Sequence, residues 1–227
     1  VTSPTSGRPK SREEIAKAYK SEPWWYDVRG FFILTFAYNS TLPEQVRLFG
    51  RNMGARHLDL ACGTGTLLDL ILKWRRWKGL PDVQIVGVDY AEAMLAGAMR
   101  RFAGKDNMRF EHGDAAALPF AAASFDTVNI ANALHCMPDV NGALAEAFRV
   151  LAPGGTMAVN VLLFPEGNGP FGRLASRINN WGIRKGILYT PYTRDDMRAR
   201  LVSAGFELSF EATSGNCYNV IARRPSP

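Results

Sequence analysis

Cysteine is scarce in this chain: Cys62, Cys136 and Cys217 are all that 227 residues carry. Three cysteines cannot all pair, and their spacing matches no metal-ligand pattern. A disulfide framework and a cysteine-bound metal are therefore excluded, no metal is expected, and a reducing cytoplasm is the simplest setting. Long apolar runs are also missing. The longest worth testing is Phe31-Phe32-Ile33-Leu34-Thr35-Phe36-Ala37-Tyr38, well short of the about 20 apolar residues a membrane-crossing helix needs. The first residues are polar and basic and hold no apolar signal core, so neither a transmembrane segment nor a secretion signal is expected. No internal repeat is visible, and the length suits one sizeable core better than two.

Acid is in the minority. Lys and Arg number 27 against 21 Asp and Glu, a net charge of +6. Nucleic-acid binders often show this balance. Here the basic residues are scattered. The densest run, Lys73-Trp74-Arg75-Arg76-Trp77-Lys78, falls where a helix should end, and cations suit the negative pole of a helix dipole. It reads as a solvated helix end, and no nucleic-acid partner is expected.

What is present is an alternation. Residues 1–10 have no periodicity and read as a disordered lead-in. Ser11-Arg12-Glu13-Glu14 is a capping box, and residues 11–53 read as helical and rich in aromatics. From Arg56 short apolar runs alternate with helical periods. Strands are expected over 57–61, 83–89, 108–112, 125–131 and 156–163, with helices over 66–78, 91–102 and 140–151 between them. Pro153-Gly154-Gly155 reads as a turn. Such alternation indicates a parallel sheet with helices on both faces. The end breaks the rhythm. A helix from Thr193 stops before Gly205, and two strands, 206–212 and 217–223, follow across Thr-Ser-Gly-Asn, so they should be antiparallel.

Asp59-Leu60-Ala61-Cys62-Gly63-Thr64-Gly65 joins the first strand to a helix. A glycine turn of this kind brings backbone close to a ligand at a helix N-terminus. Alone it is a weak signal. A dinucleotide fingerprint would place a third glycine where Leu68 stands, which argues against a pyrophosphate lying across the turn. Two further acids raise the specificity. Asp89 ends the second strand, where an acid can accept both ribose hydroxyls, and Asp114 follows the third. All three lie at the carboxyl edge of one sheet, where open parallel sheets bind ligands.

Together Leu58 to Gly65, Val88-Asp89, Gly113-Asp114-Ala115, Leu118-Pro119-Phe120, Ser124-Phe125-Asp126, Leu134-His135-Cys136-Met137-Pro138-Asp139 and Leu151-Ala152-Pro153-Gly154-Gly155 resemble the successive motifs of class I S-adenosylmethionine-dependent methyltransferases. The nearest flavour is the ubiquinone and menaquinone biosynthesis branch. The resemblance covers roughly residues 56–163. It implies an α/β fold with a Rossmann-like, seven-stranded, mostly parallel sheet whose last strand is antiparallel, preceded by an N-terminal helical lid. Residues 54–227 would form the catalytic domain, with 164–190 as an acceptor-pocket insertion. The implied cofactor is S-adenosyl-L-methionine. Asp59 would hold its methionine amino group. Ala61, Gly63 and Gly65 would lie against it, and Asp89 and Tyr90 would meet its ribose. Asp114 and Ala115 would meet adenine, and Ala131 and Asn132 the methionine end. Tyr26 resembles part of a Tyr-Asp pair in the lid of that branch. Ala61 replaces the motif's usual first glycine, which puts local packing in doubt.

The implied reaction is in-line attack of an acceptor on the sulfonium methyl. His135, after the fourth strand, is the candidate base, with an orienting role as its alternative. His57 and His112 read as structural. Trp25, Tyr38, His135, Trp181 and Tyr189 are candidate acceptor contacts, and so many aromatics suggest a small apolar or aromatic acceptor. Two alternatives stay open: a methyltransferase acting on RNA or protein, and a module that binds the cofactor without turnover. A homodimer is compatible with all three.

Overall fold

The computed structural model describes residues 41–163 and 192–226. Its elements run α1 (Leu42–Arg51), β1 (Arg56–Leu60), α2 (Thr66–Trp77), β2 (Gln84–Asp89), α3 (Glu92–Arg101), β3 (Met108–His112), β4 (Phe125–Ile130), a 3-10 turn (Leu134–Cys136), α4 (Val140–Val150), β5 (Leu151–Leu162), α5 (Arg194–Ser203), β6 (Glu207–Ser214) and β7 (Cys217–Arg223). The helix starts have local causes. Glu44 reaches back to the Thr41 N–H at 3.3 Å ahead of α1. Asp139 accepts from the Gly142 N–H at 2.8 Å to begin α4, and Thr193 accepts from the Asp196 N–H at 3.1 Å to begin α5.

The seven strands form one sheet in the order β3-β2-β1-β4-β5-β7-β6. Strands β1 to β5 pair in parallel, and β7 runs antiparallel to both β5 and β6. The chain thus builds outward from β1 to β3, returns to the far side of β1 at β4, and continues to β5. The gap above β1 and β4 is the topological switch point, where open sheets of this kind take ligands.

Period-two alternation gives the sheet two unlike faces. Leu58, Leu60, Val128, Ile130, Val159 and Val161 point to one side and pack with Leu144, Ala147 and Val150 of α4 and Met197 and Leu201 of α5. The other face, under α1 and α2, is lined by Ala158 and Ile85 with Phe49, Leu68, Ile71 and Phe102. That second face also buries His57, Asp59, Thr127, Asn129 and Asn160. Such side chains are retained inside a core only with partners. Here Asn52 donates to Asn129 Oδ1 at 3.0 Å and accepts from Thr156 at 2.7 Å, and Asn129 donates to the Phe49 carbonyl at 3.2 Å.

Three sequence readings change. The Pro153-Gly154-Gly155 turn is an irregularity inside β5. Leu151 already pairs with Phe125, the register shifts before Thr156, and Gly154 N–H donates to the Arg224 carbonyl at 2.9 Å. A Cβ on Gly155 would lie 2.8 Å from the Asp126 carbonyl, so glycine marks close backbone approach. Thr213 and Ser214 belong to β6, and Gly215-Asn216 alone forms the hairpin turn. The basic run at the end of α2 is not wholly solvated. Arg75 is buried and donates to the Gly50 carbonyl at 2.6 Å and the Pro81 carbonyl at 2.9 Å, tying α2 to α1.

Candidate active site

The turn after β1 is held by its own backbone and by its neighbours. Cys62 N–H donates to the Val88 carbonyl at 3.1 Å, and Gly65 N–H to the Cys62 carbonyl at 3.0 Å. Three residues in it take left-handed backbone: Ala61 at φ 60°, Gly63 at φ 57° and Gly65 at φ 72°. The Ala61 departure therefore touches more than local packing, since left-handed backbone at a residue with a Cβ costs about 1–2 kcal/mol. Gly63 and Gly65 are needed for different reasons. A Cβ on Gly63 would meet nothing within 4 Å, so that side of the turn faces open space. A Cβ on Gly65 would lie 2.6 Å from Phe102. Gly65→Ala is expected to cost about 2–4 kcal/mol through strained backbone and overpacking together. The reading is a thermal midpoint lower by roughly 4–16 °C; an unchanged midpoint would show that Phe102 simply yields.

The acids gather around this turn. Asp59 is the penultimate residue of β1 and only 8% exposed. Burial, and then the negative charge of Asp89, push its carboxyl up to about 7. Asp89 accepts from the Gly63 N–H at 2.7 Å through one oxygen and from the Ala91 N–H at 2.8 Å through the other. Burial raises its carboxyl too, against the pull of those two N–H groups. Asp89 thus splints the glycine turn to the start of α3, and each carboxylate oxygen keeps a second lone pair for a hydroxyl. Tyr90 is placed by His112, whose Nε2 lies 2.9 Å from the Tyr90 carbonyl with the two rings 5.5 Å apart. Asp114 accepts from the Ala116 N–H at 2.9 Å in a tight turn that presents Ala115.

Across the crevice, Asn132 follows β4 with φ 55°, a conformation asparagine tolerates better than most residues. Its N–H donates to Asn160 Oδ1 at 2.6 Å, and Asn160 donates back to Asn132 Oδ1 at 2.8 Å. Ala131 precedes it. His135 lies in the 3-10 turn just beyond and is buried, which pushes its imidazole down to about 4 and keeps it neutral near pH 7. His57 pairs with Thr127 across β1 and β4 at 2.8 Å, and burial lowers it to about 3.

The structure therefore brings Asp59, Ala61, Gly63, Gly65, Asp89, Tyr90, Asp114, Ala115, Ala131, Asn132 and His135 to one edge of one sheet. Tyr26, Trp25, Tyr38, Trp181 and Tyr189 lie outside the described residues, as do the lead-in, most of the expected lid and the 164–190 insertion. Sequence reasoning missed three residues. Arg101 clamps the turn, its guanidinium donating to the Thr64 carbonyl at 3.1 Å and to Thr66 Oγ1 at 2.8 Å. Asn160 and Gln45 hold Asn132. The signal for Asn160 was available: an asparagine at an inward position amid Val159, Val161 and Leu162. Gln45 sits between Glu44 and Val46 on an ordinary helix and gave none.

Residues 58–155 match the family described as "Methyltransferase domain". The demethylmenaquinone methyltransferase of Thermus thermophilus is 46% identical over 111 residues, 48% of this chain and 47% of that protein. That of Staphylococcus aureus is 34% identical over 146 residues, 64% of this chain and 58% of that protein. The chain thus spans about half the length of the curated relatives it matches. Among solved structures, a Thermotoga maritima S-adenosylmethionine-dependent methyltransferase, titled a possible histamine N-methyltransferase, superposes with a TM-score of 0.64 at 19% identity, covering 93% of this chain and 99% of that one. Residues 58–155 thus match a methyltransferase domain, and the fold is that of solved S-adenosylmethionine-dependent methyltransferases. S-adenosyl-L-methionine is the cofactor which that family and fold imply. The residues present fit it: an open-sided glycine turn, a buried carboxyl that a cation would relieve, and a second carboxylate with free lone pairs. Among the described residues, no helix is long and apolar enough to cross a membrane.

Proposed function

We propose that this chain moves the sulfonium methyl of S-adenosylmethionine onto a ring carbon of a small aromatic acceptor of the quinol class. The observation that carries the proposal is Asp59, whose buried carboxyl is pushed up to about 7 by burial and by Asp89, the acid that holds the Gly63 turn. Pairing with a cationic amine would relieve the Asp59 carboxyl. The relatives' printed substrate supports the quinol class. Asp59 receives the methionine ammonium, Asp89 accepts from the ribose hydroxyls, and Asp114 and Ala115 border adenine. Ala131 and Asn132 border the methionine end.

The bound cofactor supplies a methyl already electrophilic on sulfur. The protein's share is to align the acceptor and exclude water, which supplies up to roughly 7–11 kcal/mol in well-oriented systems. With the cofactor bound, the ring carbon's electron pair would form the new C–C bond, the C–S pair would pass to sulfur, and the ring would then lose a proton to solvent. An imidazole held down to about 4 takes a proton poorly from a quinol hydroxyl, so His135 serves as a neutral hydrogen-bonding wall of the pocket. Trp25, Tyr38, Trp181 and Tyr189 are proposed as acceptor contacts, and Tyr26 as a cofactor contact.

The test is incubation with S-adenosylmethionine and a prenylated 1,4-naphthoquinol, read by mass spectrometry. Methylated quinol and S-adenosylhomocysteine should appear one to one. Tight S-adenosylhomocysteine binding with no product across quinols, phenols and amines would overturn the proposal. In the same assay His135→Gln should lower kcat less than tenfold and leave no new arm in the pH profile between 5 and 8. A loss beyond about a hundredfold would restore the histidine as a base.

A further inference from the structure

Gln45 lies in the first turns of α1 and is 1% exposed. Its Oε1 accepts from Asn132 Nδ2 at 2.9 Å, while its Nε2 is buried without a hydrogen-bond partner among the described residues. Which way this amide points is not a matter of choice. The Asn132 backbone N–H can only donate, so the atom of Asn160 facing it must be Oδ1. Asn160 Nδ2 then faces Asn132 Oδ1. That leaves Asn132 Nδ2 toward Gln45, which must answer with Oε1. One backbone N–H thereby orients three side-chain amides in series. The series ends on the two hydrogens of Gln45 Nε2.

Leaving a buried donor unmade costs about 1–3 kcal/mol, and folded proteins carry few such groups. This one is held by Asn132, the residue that follows β4 across the crevice from Asp59 and the glycine turn. We infer that Gln45 is a ligand-binding residue whose Nε2 donates to a negatively polarised oxygen in that crevice. The oxygen belongs either to the methionine carboxylate or to the ring hydroxyl of the acceptor. The inference rests on the methyltransferase reading of the site. The Asn160–Asn132 pair keeps the donor aimed, and Ser214 Oγ, donating to Glu44 Oε2 at 3.0 Å, pins the same turn of α1 to the β6–β7 hairpin.

The experiment uses Gln45→Glu, which keeps an oxygen for Asn132 Nδ2 and replaces only the donor. Calorimetry with S-adenosylhomocysteine at pH 8 should show affinity at least tenfold weaker than wild type if the oxygen is the cofactor's. The decarboxylated analogue should then bind wild type and variant alike. If the oxygen is the acceptor's, S-adenosylhomocysteine affinity stays and the KM for the naphthoquinol rises at least tenfold with little change in kcat. In wild type, the Gln45 side-chain amide resonance should move on adding the ligand concerned, a reading that survives if the variant fails to fold. Unchanged binding, unchanged KM and an unmoved resonance would overturn the inference while leaving the methyltransferase reading intact. Wild-type protein that binds no S-adenosylhomocysteine would sink both.

Discussion

Asp59→Asn is expected to melt about 5–15 °C above wild type at pH 8 in the absence of ligand, and to lose cofactor affinity by a hundredfold or more. Both effects come from one buried charge. The Asp59 carboxyl stands at about 7 against an ordinary 3.8, chiefly through burial and secondarily through Asp89. A carboxyl raised in the folded state holds its proton longer there than in the unfolded chain. Its ionisation therefore erodes stability as pH rises from about 4 through about 7, by an amount of order 4 kcal/mol. Asparagine has nothing to ionise. At pH 5, where the folded carboxyl is protonated but the unfolded one is not, the gap should shrink to roughly two fifths of its pH 8 size, and it should close at about pH 3. Buried His57 and His135, lowered to about 3 and about 4, work in the opposite direction. They withdraw stability as pH falls below about 6.5. They do so in both proteins, so the difference isolates residue 59. A gap of equal size at pH 5 and pH 8, or none at either, would show that the buried charge is not the cause.

Cofactor binding reads the same carboxyl from the other side. Wild-type affinity for S-adenosylhomocysteine should climb up to tenfold per pH unit below about 7, then fall as the ligand's α-amine loses its proton near about 8. The variant should lack the lower arm. On the proposed reading Asp59 weakens the ligand-free fold and is relieved by the cofactor's ammonium, the usual direction of conflict between stability and function.

The strand-and-helix alternation was legible because each element between Arg56 and Leu162 carries its own periodicity and its own punctuation. Strand β3 could be read to the residue, since Asp106-Asn107 and His112-Gly113 bracket it. Pro153-Gly154-Gly155 misled because proline and glycine announce an interruption of regular pairing without distinguishing a turn from a bulge inside a strand. Asp59, Asp89 and Asp114 were legible as a set, because parallel topology carries strand ends to one edge. The Asn160–Asn132–Gln45 series was not. Those residues lie 28 and 87 positions apart along the chain, and nothing local in α1 says which of its polar residues turns inward. Nor did the motif at Ala61 reveal its φ of 60°. A missing glycine reads as tolerance, whereas the backbone stayed left-handed and accepted the strain.

Asp89→Ala should abolish measurable cofactor binding, and the interest lies in separating its two reasons. Asp89 accepts the Gly63 and Ala91 N–H groups, so its removal loosens the turn that every other contact depends on. It is also the proposed partner of the ribose hydroxyls. Two charge-assisted hydrogen bonds at about 1.5–3 kcal/mol each correspond to a hundredfold or more in affinity. A ligand series divides the two effects. Wild type should prefer S-adenosylhomocysteine over its 2′,3′-dideoxy analogue by about a hundredfold, while Asp89→Asn, which retains one oxygen for the Gly63 or Ala91 N–H, should bind both equally and weakly. The coupling between the substitution and the hydroxyls measures the ribose contact alone. If Asp89→Asn weakens both ligands by the same factor and keeps the wild-type preference, Asp89 is a splint and the hydroxyls are held elsewhere. The glycine turn would then be positioned by Asp89 and Arg101 from opposite ends, with cofactor selectivity moved to the Asp59 and Asn132 sides of the crevice.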